Sequence, residues 1–224
     1  MREKKSKILI HGVLSVFAFG VWTLSVKTVD VQSEGVNNSD IGFAALNGWF
    51  HRLTGVDMTL YDITDWLGLV PLAVCVLFGF FGLYQLIKRK SLLEVDCDIL
   101  ILGVYYVTVI FFYIIFEAVP VNYRPVLINN NMEASYPSST TLLVLSVMPT
   151  LVFQAELRLK NKKIKEAIKI SVGLFSAFMT VGRLISGVHW LTDIVGSVIL
   201  SAGLYMIYKG TVLSVWNSTK NCRN

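Results

Sequence analysis

Residues 182–193 read GRLISGVHWLTD, and they connect two apolar runs at 168–184 and 194–208. A membrane-spanning helix needs about 20 predominantly apolar residues. Arg183, His189 and Asp193 therefore stand where one predicted span ends and the next begins. We expect this stretch to form a short connection at one surface of a membrane, with its polar side chains on that side.

Four further apolar runs precede this pair, at 8–26, 66–87, 99–119 and 139–154. Charged residues make up only 16% of the 224 residues, against roughly 25% in soluble domains. The pattern predicts an all-α integral membrane protein with six transmembrane helices, folded as a single membrane domain over 1–224. The basic N-terminal segment is expected to lead into an uncleaved first span, because no small-residue cleavage site closes the first run.

Lysine and arginine are distributed unevenly along the chain. Sixteen of the 20 lie at the two termini and in the connections after the second and fourth spans. Because such residues mark the cytoplasmic side, both termini are predicted to be cytoplasmic, and segments 27–65, 120–137 and 185–193 are predicted to lie outside. The chain is thus expected to be a multi-pass protein of the cell (plasma) membrane. This topology accounts for the net charge of +5, so no nucleic-acid partner is predicted.

The first outer segment, 27–65, contains an amphipathic stretch at about 40–53. Residues 38–40 offer an N-cap, and Thr54-Gly55 ends the stretch. We predict a short helix that either lies on the outer membrane interface, anchored by Trp49, or covers the bundle as a lid. Its predicted apolar face comprises Ile41, Ala45, Trp49, Phe50 and Leu53, and its predicted polar face comprises Asp40, Asn47 and His51.

Polar residues gather in three clusters on the predicted outer side. These are Arg124-Pro125, then Pro137-Ser138-Ser139-Thr140, and then Arg183 with His189 and Asp193. The three cysteines and three histidines of the chain show neither a CxxC pair nor the spacing of metal ligands. No metal and no cofactor is therefore predicted.

These clusters resemble the motifs of the type-2 phosphatidic acid phosphatase superfamily, the lipid phosphate phosphatases. The family motifs read K-x6-RP, PSGH and SR-x5-H-x3-D. Here the first is EAVPVNYRP at 117–125, the second is PSST at 137–140, and the third keeps the spacing from Arg183 to His189 to Asp193. The resemblance places the phosphatase-like motif region at 117–193.

The resemblance implies a metal-free reaction in which His189 attacks phosphorus and forms a phosphohistidine. Asp193 would hold the other ring nitrogen, and Arg124 and Arg183 would bind phosphate oxygens. Two further residues, Ser138 and Ser139, would add hydroxyl groups at the start of a helix, whose amino end attracts anions.

Two positions depart from the family pattern. Glu117 stands in place of the lysine, and Thr140 stands in place of the histidine that protonates the leaving group. Loss of a general acid costs about 10²–10⁴-fold in rate. Three alternatives follow: Glu117, or less favourably Glu133 or His51, supplies the proton; the substrate has a good leaving group; or the protein is no enzyme.

The expected function is an extracytoplasmic phosphatase acting on a lipid phosphate or a polyprenyl diphosphate such as undecaprenyl diphosphate. A diphosphate is favoured because it releases phosphate, which leaves without protonation. The expected partners are the lipid substrate and the bilayer itself. The alternatives are a lipid phosphotransferase of the same family and a catalytically silent protein that binds lipid phosphates.

Overall fold

The structure is a computed structural model that describes the backbone of residues 2–221 and the side chains of residues 5–215. Over the described range it is built of helices, with two short 3-10 turns at Val36–Asn38 and Leu92–Glu94 and no strand. The eight α-helices are α1 (Arg2–Thr28), α2 (Ala44–Thr54), α3 (Met58–Leu67), α4 (Leu69–Arg89), α5 (Cys97–Ala118), α6 (Ser139–Arg158), α7 (Lys162–Ile185) and α8 (Leu191–Asn221).

Six segments of the described chain are long and apolar enough to cross a membrane: α1, α3 with α4, α5, α6, α7 and α8. The predicted fold class is confirmed. The helices extend beyond several predicted apolar runs, most clearly α6 and α8, because polar residues near their ends find partners inside the bundle. Gln154, for example, donates to the hydroxyl of Tyr208 at 3.0 Å and accepts from Arg158 at 2.9 Å.

The second span begins earlier than its apolar run predicts. Asp57 caps α3 by accepting a hydrogen bond from the backbone N–H of Leu60 at 3.0 Å, so the last part of the predicted outer segment 27–65, residues 58–65, is helical. Only Gly68 separates α3 from α4. Tyr61 and Thr64 of α3 consequently face the bundle and are buried, whereas Asp62 and Asp65 are exposed.

Helices α1 and α8 pack side by side at glycines. A Cβ atom on Gly12 would lie 2.8 Å from Ile207 Cγ1 and 2.9 Å from Ile207 N, and a Cβ on Gly203 would lie 3.0 Å from Val16 N. Small residues of this kind allow helices in a membrane to approach backbone to backbone. Helix α8 also packs against α5 and α6, so it forms the centre of the bundle.

The predicted outer helix is present as α2, but its predicted cap is wrong. The helix begins at Ala44, and residues 38–40 precede it without capping it. Asp30 instead accepts from the backbone N–H groups of Ala44, at 3.0 Å through its carbonyl, and Ala45, at 2.8 Å through its side chain. The chain leaving α1 therefore caps α2 from a distance in sequence.

The polar face of α2 is turned inward. Asn47 is buried and donates to Thr192 Oγ1 at 3.0 Å, and His51 Nε2 lies 3.1 Å from the carbonyl of Gly187. Trp49 and Leu53 are exposed, at 55% and 68%. The helix thus covers the connection between α7 and α8 as a lid, and its apolar side is turned away from the protein, as expected of an interfacial helix.

The contact between α1 and α8 predicts the effect of Gly12→Val. The added side chain would meet the backbone of Ile207, so we expect a loss of roughly 1–3 kcal/mol of stability and a lower melting temperature in detergent. Gly20→Val is the matched control, because a Cβ atom there meets nothing within 4 Å. Equal melting temperatures for the two variants would contradict the packing.

Candidate functional site

Two buried arginines share one aromatic ring at the end of the bundle where α3, α6 and α7 meet. The guanidinium carbon of Arg183 lies 4.7 Å from the centre of the Tyr61 ring, and that of Arg124 lies 5.7 Å from it. Arg183 is only 1% exposed and Arg124 only 7%. Buried cations require counter-charges, so this pair attracts anionic groups.

Each arginine is paired with a carboxylate from a more exposed position. Arg183 Nη2 donates to Asp65 Oδ1 at 2.7 Å and to Thr140 Oγ1 at 2.5 Å. Arg124 Nε lies 3.1 Å from Glu133 Oε2. The side chains of Asp65 and Glu133 are 56% and 35% exposed, so an incoming anion can take their places.

The arginines also have N–H groups left over. Arg124 Nη1 and Arg183 Nε are buried and have no hydrogen-bond partner. Guanidinium groups bind phosphate and carboxylate through several N–H groups at once. These two groups are therefore further donors for an anion that replaces the carboxylates.

One ring nitrogen of His189 forms a hydrogen bond, and the other has no hydrogen-bond partner. Its Nδ1 lies 3.1 Å from the carbonyl oxygen of Ser135. A carbonyl only accepts, so Nδ1 carries the proton and Nε2 carries the lone pair. Nε2 is buried without a partner. Burial, together with the charges of Arg124 and Arg183, lowers the pKa of His189 well below its usual range, which keeps the ring neutral.

Asp193 reaches His189 through Ser135, and the direct hydrogen bond that the resemblance implied is not formed. Asp193 Oδ2 lies 3.8 Å from His189 Nδ1, which is too long for a hydrogen bond. The Ser135 hydroxyl donates to Asp193 Oδ2 and lies 3.2 Å from Nδ1. The same carboxylate oxygen accepts from the N–H of Trp190 at 2.8 Å.

Backbone contacts hold these groups together. The indole N–H of Trp190, next to His189, donates to the carbonyl of Tyr123, next to Arg124, at 2.8 Å. Gly187 has φ +69°, and a Cβ atom there would lie 1.8 Å from the carbonyl oxygen of Gly55. A glycine is therefore required where the connection passes under α2.

Ser138 and Ser139 open α6, as predicted, but Ser138 is engaged in structural bonds. Its hydroxyl donates to Thr141 Oγ1 at 3.0 Å, and its carbonyl accepts from Ser197 Oγ at 2.9 Å. Thr140 faces the site and bonds Arg183, as described above. Ser139, the first residue of α6, lines a small cavity beside Pro137 and Glu117.

Glu117 is the residue that stands in place of the lysine of the family pattern. It is exposed at the end of α5, and among the described side chains it forms no ion pair. The carboxylates that pair with Arg183 and Arg124 are those of Asp65 and Glu133. His51 lies on α2 against Gly187, where burial lowers its pKa. Within residues 5–215, no group of three or more His, Cys, Asp or Glu side chains could hold a metal ion.

Sequence reasoning missed Tyr61, Asp65 as a partner of Arg183, and Ser135. Asp65 was recognisable only as the last acidic residue before an apolar run. Ser135 lies two residues before the second motif and carries no motif signal of its own. Only the folded chain shows that its carbonyl and hydroxyl both reach His189.

Comparison with known proteins agrees with this architecture. The family model of the PAP2 superfamily matches residues 99–216, and the chain belongs to this family. The structure is similar to a crystal structure described as the first transmembrane PAP2 type phosphatidylglycerolphosphate phosphatase from Bacillus subtilis. That similarity has a TM-score of 0.65 and 16% identity, and it covers 91% of this chain and 96% of that chain. At this identity the likeness shows the fold. No curated protein matches the chain.

The ion pair between Asp65 and Arg183 predicts that Asp65→Asn strengthens phosphate binding. A partly exposed ion pair is worth on the order of 0.2–1 kcal/mol, so removing the competing carboxylate should tighten the binding of orthophosphate by a factor of about 1.4 to 5. Calorimetric titration of the detergent-solubilised protein measures this change. Asp62→Asn, an exposed residue of the same helix, is the control for charge alone, and an equal effect of both changes would contradict direct competition.

Proposed function

We propose that the protein is a membrane phosphatase that hydrolyses a lipid phosphate or a polyprenyl diphosphate through a phosphohistidine on His189. The observation that carries this proposal is the buried Nε2 atom of His189, which has no hydrogen-bond partner and belongs to a ring whose pKa is lowered by burial and by the two neighbouring guanidinium groups. A neutral imidazole next to a cationic anion site is a nucleophile placed for phosphorus. Membership of the PAP2 superfamily supports the same chemistry.

In the first step, the lone pair of Nε2 attacks phosphorus. An N–P bond forms, the bond between phosphorus and the leaving oxygen breaks, and the leaving group keeps the electron pair. The ring gains positive charge, which the carboxylate of Asp193 stabilises across the Ser135 hydroxyl. Nδ1 keeps its proton and continues to donate it to the carbonyl of Ser135 in a hydrogen bond, so the ring keeps its orientation.

In the second step, a water oxygen attacks phosphorus, the N–P bond breaks, and its electron pair returns to Nε2. The water proton is lost to solvent, and orthophosphate leaves. His189 is then neutral again, in the tautomer from which the cycle began. These two steps need no metal and no cofactor.

Arg124 and Arg183 bind the phosphate oxygens in this scheme. As the substrate enters, its phosphate oxygens replace the carboxylates of Glu133 and Asp65 as the partners of the two arginines. The arginine charges therefore remain balanced throughout. Thr140 fixes Arg183 through its hydroxyl. The amino end of α6, at Ser138 and Ser139, adds a positive dipole end on the same side, with Ser139 the more accessible of the two hydroxyls.

The proton donors available at the site bear on which leaving group the enzyme releases. The Thr140 hydroxyl is bonded by Arg183, and an alcohol is too weak an acid to protonate an alkoxide. Glu117 lines the small cavity next to Ser139 and is the remaining candidate proton donor. A diphosphate releases a phosphate that leaves without a general acid. We therefore propose a polyprenyl diphosphate such as undecaprenyl diphosphate over phosphatidate.

The side of the membrane follows from charge. The proposed catalytic groups lie at the end of the bundle formed by the connections 29–57, 119–138 and 186–190. The basic segments 88–90 and 158–165 lie at the other end. By the positive-inside rule, the reaction takes place on the extracytoplasmic face of the cell membrane, with both termini in the cytoplasm.

The test of the function is phosphate release by purified protein, from undecaprenyl diphosphate and phosphatidate in parallel, in the presence of EDTA. We expect release from both, faster from the diphosphate, and none from His189→Ala at matched folding. Faster hydrolysis of phosphatidate would contradict the leaving-group argument. Lipid binding without turnover of either substrate would favour the alternative function, a catalytically silent protein that binds lipid phosphates.

The position of Ser135 predicts the effect of Ser135→Ala. The hydroxyl that links Asp193 to His189 is lost, while the carbonyl that holds Nδ1 remains. A hydrogen bond to a charged group is worth about 1.5–3 kcal/mol, so kcat should fall by roughly tenfold or more with little change in KM. Ser201→Ala, which removes a buried hydroxyl bonded only within α8, is the control. A change confined to KM would contradict the positioning role.

A further inference from the structure

The buried carboxylate of Asp193 has one oxygen atom without a partner. Its Oδ2 accepts hydrogen bonds from the Ser135 hydroxyl and from the N–H of Trp190, whereas Oδ1 is buried and accepts none from the described residues. The residue is 0% exposed. A carboxylate that is removed from water is stable as an anion only when donors surround it. Oδ1 therefore marks a place where a donor is missing.

The side chain of Asn122 carries the complementary group. It is 2% exposed, and its amide Nδ2 is buried without an acceptor within the described part of the chain. Asn122 lies next to Asp193 and acts on that carboxylate as a donor, but the two groups stop short of a formed hydrogen bond. Buried polar atoms are rarely left unpaired, and here a donor and an acceptor without partners lie side by side.

The loop before α6 brings Asn122 to this place. The loop folds back on itself, with an antiparallel bridge between Tyr123 and Ala134, and the carbonyl of Asn122 accepts from the N–H of Ser135 at 2.9 Å. Side chains alternate between the two faces of an extended chain, so Asn122 and Arg124 share one face, and both are buried. One short segment therefore supplies a guanidinium group to the anion site and an amide to the carboxylate at the start of α8.

We propose that Asn122 is a positioning residue for the proposed phosphatase reaction, on which this inference rests. Its side-chain N–H donates to Asp193 Oδ1 when His189 becomes a cationic phosphohistidine. With donors from Asn122, Ser135 and Trp190, the carboxylate stays ionised and keeps its position while the ring is charged. Asn122 acts on the reaction through Asp193 and has no part in binding phosphate.

The test compares the steady-state kinetics of Asn122→Leu with those of the unchanged protein on undecaprenyl diphosphate, per folded molecule. Leucine has nearly the shape of asparagine but no donor, and the backbone carbonyl that pairs with Ser135 remains. Loss of a hydrogen bond to a charged group corresponds to a rate change of roughly 10- to 100-fold. We expect kcat to fall by that factor with little change in KM. Asn131→Leu, the same change at an exposed residue of this loop, should leave both constants unchanged.

A second variant, Asn122→Asp, separates a lost donor from a lost fold because it keeps the shape and polarity of the side chain. A protonated carboxyl group donates through its O–H, whereas a carboxylate only accepts and repels Asp193. Its kcat, relative to that of the unchanged protein at the same pH, should therefore rise as the pH falls. The other charged or titratable groups near Asp193 are those of His189, Arg124 and Tyr136. Both proteins share them, so the ratio reports on position 122.

The outcomes separate this inference from the proposed function. A normal kcat in Asn122→Leu, a loss confined to KM, or a ratio for Asn122→Asp that is independent of pH would overturn the positioning role and leave the phosphatase in place. An unchanged protein that releases no more phosphate than His189→Ala would overturn the proposed function, and this inference with it.

Discussion

Two guanidinium groups buried on one tyrosine ring are the constraint on which the site depends. Their burial is costly unless carboxylates or an anion accompany them, and the chain meets this cost with Asp65 from α3 and Glu133 from the loop before α6. Helices α3 and α7 must therefore meet at this end of the bundle. The glycines at 182 and 187 allow that approach, since a Cβ on Gly182 would lie 2.8 Å from Thr64 Cγ2.

The same burial sets the state of His189. A low dielectric and two neighbouring cations disfavour imidazolium, so the ring stays neutral and its Nε2 lone pair stays available. The carbonyl of Ser135 then decides which nitrogen is bare. In the proposed reaction, the negative charge of the phosphate offsets the arginine charges. A cationic phosphohistidine is then repelled less strongly by the two arginines. In this proposal, the site holds His189 ready as a nucleophile before substrate binds and stabilises its charged form only afterwards.

The six spans and the grouping of Arg183, His189 and Asp193 at one end of the bundle could be predicted, because hydropathy and basic-residue placement are strong local signals. The start of the second span could not, since the Asp57 cap begins the helix before the apolar run. The sequence also did not reveal which face of α2 contacts the bundle. Its Asn47 and His51 are satisfied by Thr192 and Gly187, far away in sequence. Bridging of Asp193 to His189 through Ser135 is likewise a product of tertiary structure.

The most direct measurement is a structure of the protein with orthovanadate, which adopts the five-coordinate geometry of a phosphoryl group under attack. We expect vanadium bonded to His189 Nε2, with Arg124 and Arg183 turned from Glu133 and Asp65 to the vanadate oxygens. Vanadate bound elsewhere, or bound at the arginines with His189 Nε2 out of reach, would contradict the nucleophilic role of His189.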